Sequence, residues 1–447
     1  MKLEKITNYL LLLFIFLIPW HTRYIYLKAE LNGGVWEYGT LSLFGTELLL
    51  WLIVILFGIN KFGNKKIWHK MSSKQHFKHK WKNLAVALAF LIFLALLIVN
   101  SINSTISYQH ALWIMAGICI GLVIIEKSTQ LKEKMLLTLW ASGIVQGLLA
   151  IGQFFTQKVI GCKWLGMSSQ HPSDVGVSII QHIDQRWMRV YGSFGWPNSL
   201  GLYLAVIFVL GLIIMILVLR KKTLDKISKV HKYIYLFGQF TILSGLLLTF
   251  SRGAWLSALF GIALLFIILI QYKKKEIITP KLLRLFGWQL FMYLVYILVI
   301  VIFLAPLFQA RFNLINSVEK VSVQEHKAQY SESAQVISRN LFLGTGPGTY
   351  TLFLYKQNPR LKAWQYQPAH NIFVLWLAEM GIVGLMVFGF LFTWLFYLIY
   401  KYNKLFLPLV VVLLIHGVFD HWLWTLYSGI IFWWVVWALS IKNRFVP

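Results

Sequence analysis

The chain has 447 residues, 58% of them apolar and 16% aromatic, with only 13% charged and a mean hydropathy of +0.68. A soluble domain carries about 25% charged residues, so these proportions exclude an ordinary water-soluble fold. They indicate an all-α polytopic membrane protein forming a single transmembrane domain over 1–447. A net charge of +27 raises nucleic acid as a partner, and the distribution of that charge argues against it.

Apolar runs near the length of a membrane crossing predict spans at 8–26, 41–60, 83–100, 110–125, 135–157, 198–219, 233–250, 254–270, 285–305, 381–400, 405–420 and 423–440, twelve in all. The first reads as a retained span, because no small-residue cleavage site follows Pro19-Trp20-His21. Taken alternately from the N-terminus, one set of loops is the shorter and holds roughly twice as many Lys and Arg as the other. The positive-inside rule therefore places both termini in the cytoplasm, with the chain in the cytoplasmic (inner) membrane. The lysine-rich stretches 61–82 and 220–232 become orientation signals that touch anionic headgroups, so membrane lipids are expected partners and nucleic acid is not. Cys119 lies inside a span and Cys162 in an outer loop, too far apart in depth for a disulfide.

In chain order, the first four spans carry one notable acid, Glu47, near the outer end of the second. The outer loop 158–198 ends in RVYGSFGWPNSLGLYL, where Pro197-Asn198 opens the sixth span and Arg189 falls a few residues outside it, at headgroup depth. LLLTFSRGAWLSALFG puts Arg252 in a tight outer turn, with the nearest acids in sequence, Asp225 and Glu276, on the other side of the membrane. An arginine so placed suits an anion supplied from elsewhere. The outer segment from Pro306 is too long for a mere connection, and 306–380 reads as a large outer loop with surface helices inserted before the tenth span.

Within that loop, Gly344, Gly346 and Gly348 have neither a preceding strand nor a following Lys-Ser/Thr, so they do not form a nucleotide loop. They still permit close backbone approach to a ligand or another helix. Pro368 and His370-Asn371 then precede an apolar run, which predicts a helix starting at His370 or Asn371 and stopping near Gly381. Near the C-terminus, His416 and Asp420 fall at i, i+4 with His421 beside them, more simply a hydrogen-bonded core pair than a site.

There is no D-x-D, H-E-x-x-H, C-x-x-C or G-x-S-x-G, so no metal and no cofactor are expected. Two arginines and a histidine on the outer face suit transfer of a group away from a phosphate leaving group. Arginine matches phosphate oxygens, and histidine accepts a hydroxyl proton near neutral pH.

At these residues the chain resembles the O-antigen ligase and O-antigen polymerase superfamily of bacterial envelope glycosyltransferases. The pieces that carry the resemblance are RVYGSFGWPNSLGLYL, LLLTFSRGAWLSALFG, SRNLFLGTGPGTYTLF and PAHNIFVLWLAEMGIVGL, together with the large loop before the tenth span. The resemblance implies transfer of a glycan from a lipid-linked oligosaccharide donor, carried on undecaprenyl diphosphate, to a glycan, lipid or other hydroxyl acceptor outside the cytoplasmic membrane, without metal. Residue by residue it implies Arg189 and Arg252 at the diphosphate and His370 serving as, or helping to form, the catalytic base; Asn198, Asn371, Gly346 and Gly348, in the same motifs, are the further substrate-binding candidates. One departure stands in the loop helix, where members often carry an arginine after the glutamate and this chain has Glu325-His326. The competing class is a transporter or flippase of an anionic or lipid-linked envelope substrate, against which stand the lack of an internal repeat and of paired broken midspan helices.

Overall fold

A computed structural model describes residues 2–62, 74–182, 185–221, 227–312 and 317–441, with the backbone alone described at 2, 62, 74–86, 221 and 317–327. Half of the lysine-rich stretch 61–82, residues 63–73, therefore lies outside the described residues. The fold is mostly helical, and every predicted apolar run contains a helix.

The helices are α1 Lys2–Leu17, α2 Gly45–Phe62, α3 Lys74–Val99, α4 Ser104–Ile125, α5 Thr129–Thr156, α6 Pro197–Lys221, α7 Lys229–Leu248, α8 Arg252–Lys274 and α9 Pro280–Phe303. There follow α10 Ala305–Phe312, α11 Ser317–Arg339, α12 Tyr350–Gln357, α13 Ile372–Tyr402, α14 Leu407–Gly417, α15 Trp422–Thr425 and α16 Tyr427–Ser440. Among the described residues six (α4, α5, α6, α8, α9 and α13) are long and apolar enough to cross a membrane, and three shorter apolar stretches accompany them at 87–99, 404–417 and 427–440. The chain is thus a polytopic membrane protein.

Two predicted spans are corrected at their ends, and with them the all-α reading. The run 8–26 stops being helical at Leu17, because Pro19 supplies no N–H and disfavours helical torsions before it. Arg23–Leu27 then forms β1, a tract of aromatic and branched residues that pairs antiparallel with β4, Leu41–Phe44. The run 41–60 accordingly begins as strand, and its helix starts at Gly45. Two further ribbons, β2 (Glu30–Leu31) with β3 (Gly34–Val35) and β5 (Ile179–His182) with β6 (Gln185–Met188), complete three two-stranded sheets among the described residues.

Helix starts follow local chemistry. Asn103, Ser128, Ser228 and Thr279 each accept a backbone N–H of the first turn, and Pro280 occupies the position where a missing N–H costs nothing. The core sits around α6, whose apolar window is 83% buried against 17% for α9, so α6 is the central helix and α9 peripheral. Close packing relies on glycine: a Cβ at Gly147 would come 2.7 Å from the Thr241 carbonyl oxygen, so α5 and α7 touch backbone to backbone.

One helix is broken. Inside α13, Gly381 takes φ 65° and ψ −171°, at the residue where the sequence predicts a stop.

Candidate functional site

The first part of the site is built on the turn between α7 and α8. Phe250 holds a left-handed φ of 49°, uncommon for a bulky side chain, and backbone strain of this kind tends to collect at functional sites. Two arginines brace the turn from outside. Arg189 Nε donates to the Thr249 carbonyl at 2.8 Å and Arg311 Nε, from α10, to the Phe250 carbonyl at 2.9 Å. Arg189 also donates through Nη2 to Asn198 Oδ1 at 2.7 Å, so two of the predicted site residues meet directly. At 8% exposure Arg189 is no headgroup-facing side chain; it points inward. Ser251 and half-buried Arg252 then open α8, and α6 reaches the turn closely because Gly201 has no side chain to strike Ser251 and Ala254.

The loop carrying Arg189 is fixed by two buried glutamines of α5. Gln153 Oε1 accepts the N–H groups of Tyr191 and Gly192, Gln146 Oε1 accepts the Ser193 N–H, and the Ser193 hydroxyl donates to the Pro19 carbonyl. Buried amides satisfy the loop where water is absent.

The second part surrounds His370. The helix start is capped by Asn371, whose Oδ1 accepts from Phe373 N at 3.0 Å and Val374 N at 3.2 Å, which leaves His370 outside the cap. Gln329 of α11 holds His370: its Oε1 lies 2.8 Å from Nδ1 and 3.3 Å from the backbone N–H. Only an oxygen can accept that backbone N–H, so the amide orientation is fixed and Nδ1 must carry the ring proton toward it. With Nδ1 donating to Gln329, Nε2 is the ring nitrogen at which a proton would be gained or lost.

His370 packs edge-on against His421, ring centroids 5.0 Å apart, and His421 Nδ1 lies 2.8 Å from Thr425 Oγ1. Asp420 is buried beside them and accepts from Trp422 N at 2.8 Å. Burial pushes its carboxyl up, but His421, His416 and His370 outweigh burial and hold it below the usual aspartate value. The predicted His416–Asp420 hydrogen bond is not made, because α14 ends at Gly417 and the two residues no longer share a helical face. The 416–421 stretch is instead the link between the two parts of the site. Phe419 packs on Gly253, next to Arg252, while Asp420 and His421 face His370.

The glycine loop has a definite task. Thr345 N and Gly346 N donate to the carbonyls of Ala378 and Glu379, and Ile382 N and Val383 N donate to those of Leu341 and Phe342. These bonds satisfy the groups freed by the break in α13, which lipid could not do. A Cβ at Gly381 would sit 2.1 Å from the Phe342 carbonyl oxygen, so the contact requires glycine. Glu379 adds side-chain ties: Oε2 accepts from Gly348 N at 2.7 Å and from Trp424 Nε1 at 2.6 Å, and Oε1 from Tyr350 N at 3.1 Å. Of the predicted ligand glycines, Gly346 is packed on Ser101 and Ser107, while Gly348 lines a small cavity of about 40 Å³. Glu325 and His326 lie where only the backbone of α11 is described.

The sequence reading did not single out Arg311, Gln329 and Glu379. The one local signal among them was a carboxylate inside an apolar run two residues before a glycine, AEMG. No group of three or more His, Cys, Asp or Glu with metal-binding geometry occurs among the described residues.

The sequence model of a family described as O-Antigen ligase matches residues 237–389. The match takes in Arg252, Arg311, Gln329, the glycine loop, His370 and the break in α13. No curated protein matches the chain.

Proposed function

From a chain that carries an O-antigen ligase domain over residues 237–389, we propose a membrane glycosyltransferase that moves a glycan from an undecaprenyl-diphosphate-linked donor to an acceptor hydroxyl on the outer face of the cytoplasmic membrane. The observation that carries this reading is the Gln329 bond to His370 Nδ1, which leaves Nε2 as a base beside buried Asp420 and one contact away from the arginine turn. With twelve crossings, through α1 to α9, α13, α14 and α16, both termini lie on one side, which the positive-inside bias makes the cytoplasm. On that alternation the α7–α8 turn, the loop before α6, the segment before α13 and the 418–421 stretch share one outer face.

In the reaction, His370 Nε2 takes the proton of the acceptor hydroxyl as its oxygen bonds to the anomeric carbon of the donor sugar. The bond from that carbon to the diphosphate oxygen breaks, and the electron pair leaves with the lipid diphosphate. Arg252, at the N-terminus of α8, and Arg189 hold the diphosphate and offset the charge that develops there. Arg189 and Arg311 also fix the turn that presents Arg252. Positive charge from arginine takes the place a metal would have, and a single displacement inverts the anomeric configuration. Asn371, Asn198 and Gly346 act by holding these groups in place, and Gly348 bounds the space beside them.

The test supplies purified protein with lipid-diphosphate-linked oligosaccharide and hydroxyl acceptors, with and without a chelator. A new glycoconjugate of inverted configuration and an equal amount of released lipid diphosphate are expected in both. Movement of intact donor across vesicles with no lipid diphosphate released would make the protein a transporter instead.

A further inference from the structure

Glu332 stands on α11 one turn after Gln329, the residue that holds His370. The two share a helix face with Ser333 and Val336, both buried, so this is the face α11 turns toward the protein. Glu332 sits half-buried at the edge of that face. Beneath it lies buried Tyr350 of α12, whose hydroxyl is 2.8 Å from Ser333 Oγ. Burial pushes the Tyr350 phenol up, the bond to Ser333 pulls it down, and the charges of Glu332 and Glu379 push it up further, which puts the Glu332 carboxyl on the inner side of the helix.

This carboxylate is held at a cost. Among the described residues Glu332 makes neither a hydrogen bond nor an ion pair, and burial raises it above the usual glutamate value. A bound molecule that donates hydrogen bonds would offset the loss of water. Burial is the one influence on Glu332, so Arg189, Arg252 and Arg311 are too far away to neutralise it. A diphosphate placed beside it would set like charges together, and the arginine turn therefore serves the other end of the reacting pair. Neighbouring hydroxyls of a sugar ring fit better, because an ionised carboxylate has two oxygens that only accept. Position favours the acceptor over the donor, since Glu332 shares its helix with Gln329 and lies on the His370 side, where the reacting hydroxyl has to be.

Resting on the proposed transfer reaction, we infer that Glu332 is a specificity-determining residue for the acceptor: hydroxyls next to the reacting one donate to its carboxylate and turn that sugar toward His370 Nε2.

The test measures transfer by wild type, Glu332→Ala and Glu332→Gln to glucose- and N-acetylglucosamine-ended oligosaccharides, and to the same acceptors lacking one hydroxyl of the terminal ring at a time. Glu332→Ala should raise the acceptor KM about tenfold or more, with kcat and the donor KM within about threefold and undecaprenyl diphosphate binding retained. Glu332→Gln keeps one accepting oxygen and should lose less. At least one deoxy acceptor should be weakened with the wild type and not weakened further with Glu332→Ala, as two halves of one contact require. If every deoxy acceptor loses the same factor with and without Glu332, the residue does not touch the sugar. A raised donor KM alone would assign it to the donor, and a loss of kcat of about 10²-fold at unchanged KM would make it an acid or base. Each of these results overturns the inference, as does no change at all. If Glu332→Ala loses undecaprenyl diphosphate binding, Glu332→Gln decides by the same comparison. If the wild type transfers nothing, the proposed reaction fails separately, and saturation-transfer NMR with the same oligosaccharides still decides the role of Glu332. A signal lost in Glu332→Ala and kept in His370→Ala supports it; a signal that persists in Glu332→Ala, or none in the wild type, overturns it.

Discussion

Replacing Gln329 with Leu tests the assignment of His370 through a residue that touches no substrate. The substitution removes the acceptor that holds the Nδ1 proton at 2.8 Å and keeps the side-chain volume close. A hydrogen bond of this kind contributes about 0.5–1.5 kcal/mol net. At about 1.36 kcal/mol per decade of rate, losing it from the reactive tautomer lowers kcat by about 2- to 13-fold. Removing the base itself, in His370→Ala, costs about 10²- to 10⁴-fold. The two effects act through one ring, so Gln329→Leu should cost nothing further in the His370→Ala background. The assay is release of lipid diphosphate at saturating donor and acceptor for wild type, both single variants and the double variant. If Gln329→Leu reduces the rate by the same factor with and without His370, Gln329 works elsewhere and the tautomer argument is wrong.

Other expectations follow from the same geometry. Asn371→Ala should cost about 1 kcal/mol of thermal stability, as loss of a helix cap, while leaving kcat within a few-fold; a loss like that of His370→Ala would give Asn371 a chemical role. Gly381→Ala should lower the melting temperature strongly, because the added Cβ meets the Phe342 carbonyl at 2.1 Å and φ is 65°; an unchanged melting curve would contradict the docked glycine loop. His21, held down to about 4 by burial and by Arg23, binds its proton more readily when unfolded, so stability should fall as pH drops from 6.5 toward 4, and His21→Leu should flatten melting curves across that window. Half-buried Cys162 should react with a membrane-impermeant maleimide in intact cells, and protection of it there against reaction after lysis would invert the topology.

What the sequence could show depended on how far apart the partners lie. The start at Asn371 and the stop at Gly381 were legible because capping and glycine conformations act over a few residues. The glycines at 344, 346 and 348 were legible as a turn with close approach, but not as the filling of a helix break more than 30 residues away. Gln329 and His370 meet across 41 positions and Arg311 and Phe250 across 61, and no periodicity marks either pair. The 416–421 stretch was misjudged because i, i+4 spacing assumes a continuous helix, and α14 ends at Gly417. Strands β1 and β4 hid inside apolar runs, where hydropathy alone does not separate a short ribbon from the end of a helix.

The break in α13 bears on how the chain is made. A helix interrupted at Gly381 exposes backbone groups that hydrocarbon cannot satisfy, so this segment is a poor membrane insert until residues 341–346 dock on it. Ribosomal order delivers that docking partner first, since residues 341–346 emerge before α13 does. On the proposed topology, biogenesis has a required sequence: the segment before α13 is translocated and folded first, and only afterwards can α13 settle beside it. A chain in which translocation of 306–369 is delayed should accumulate as a protease-sensitive intermediate with its last crossings unassembled.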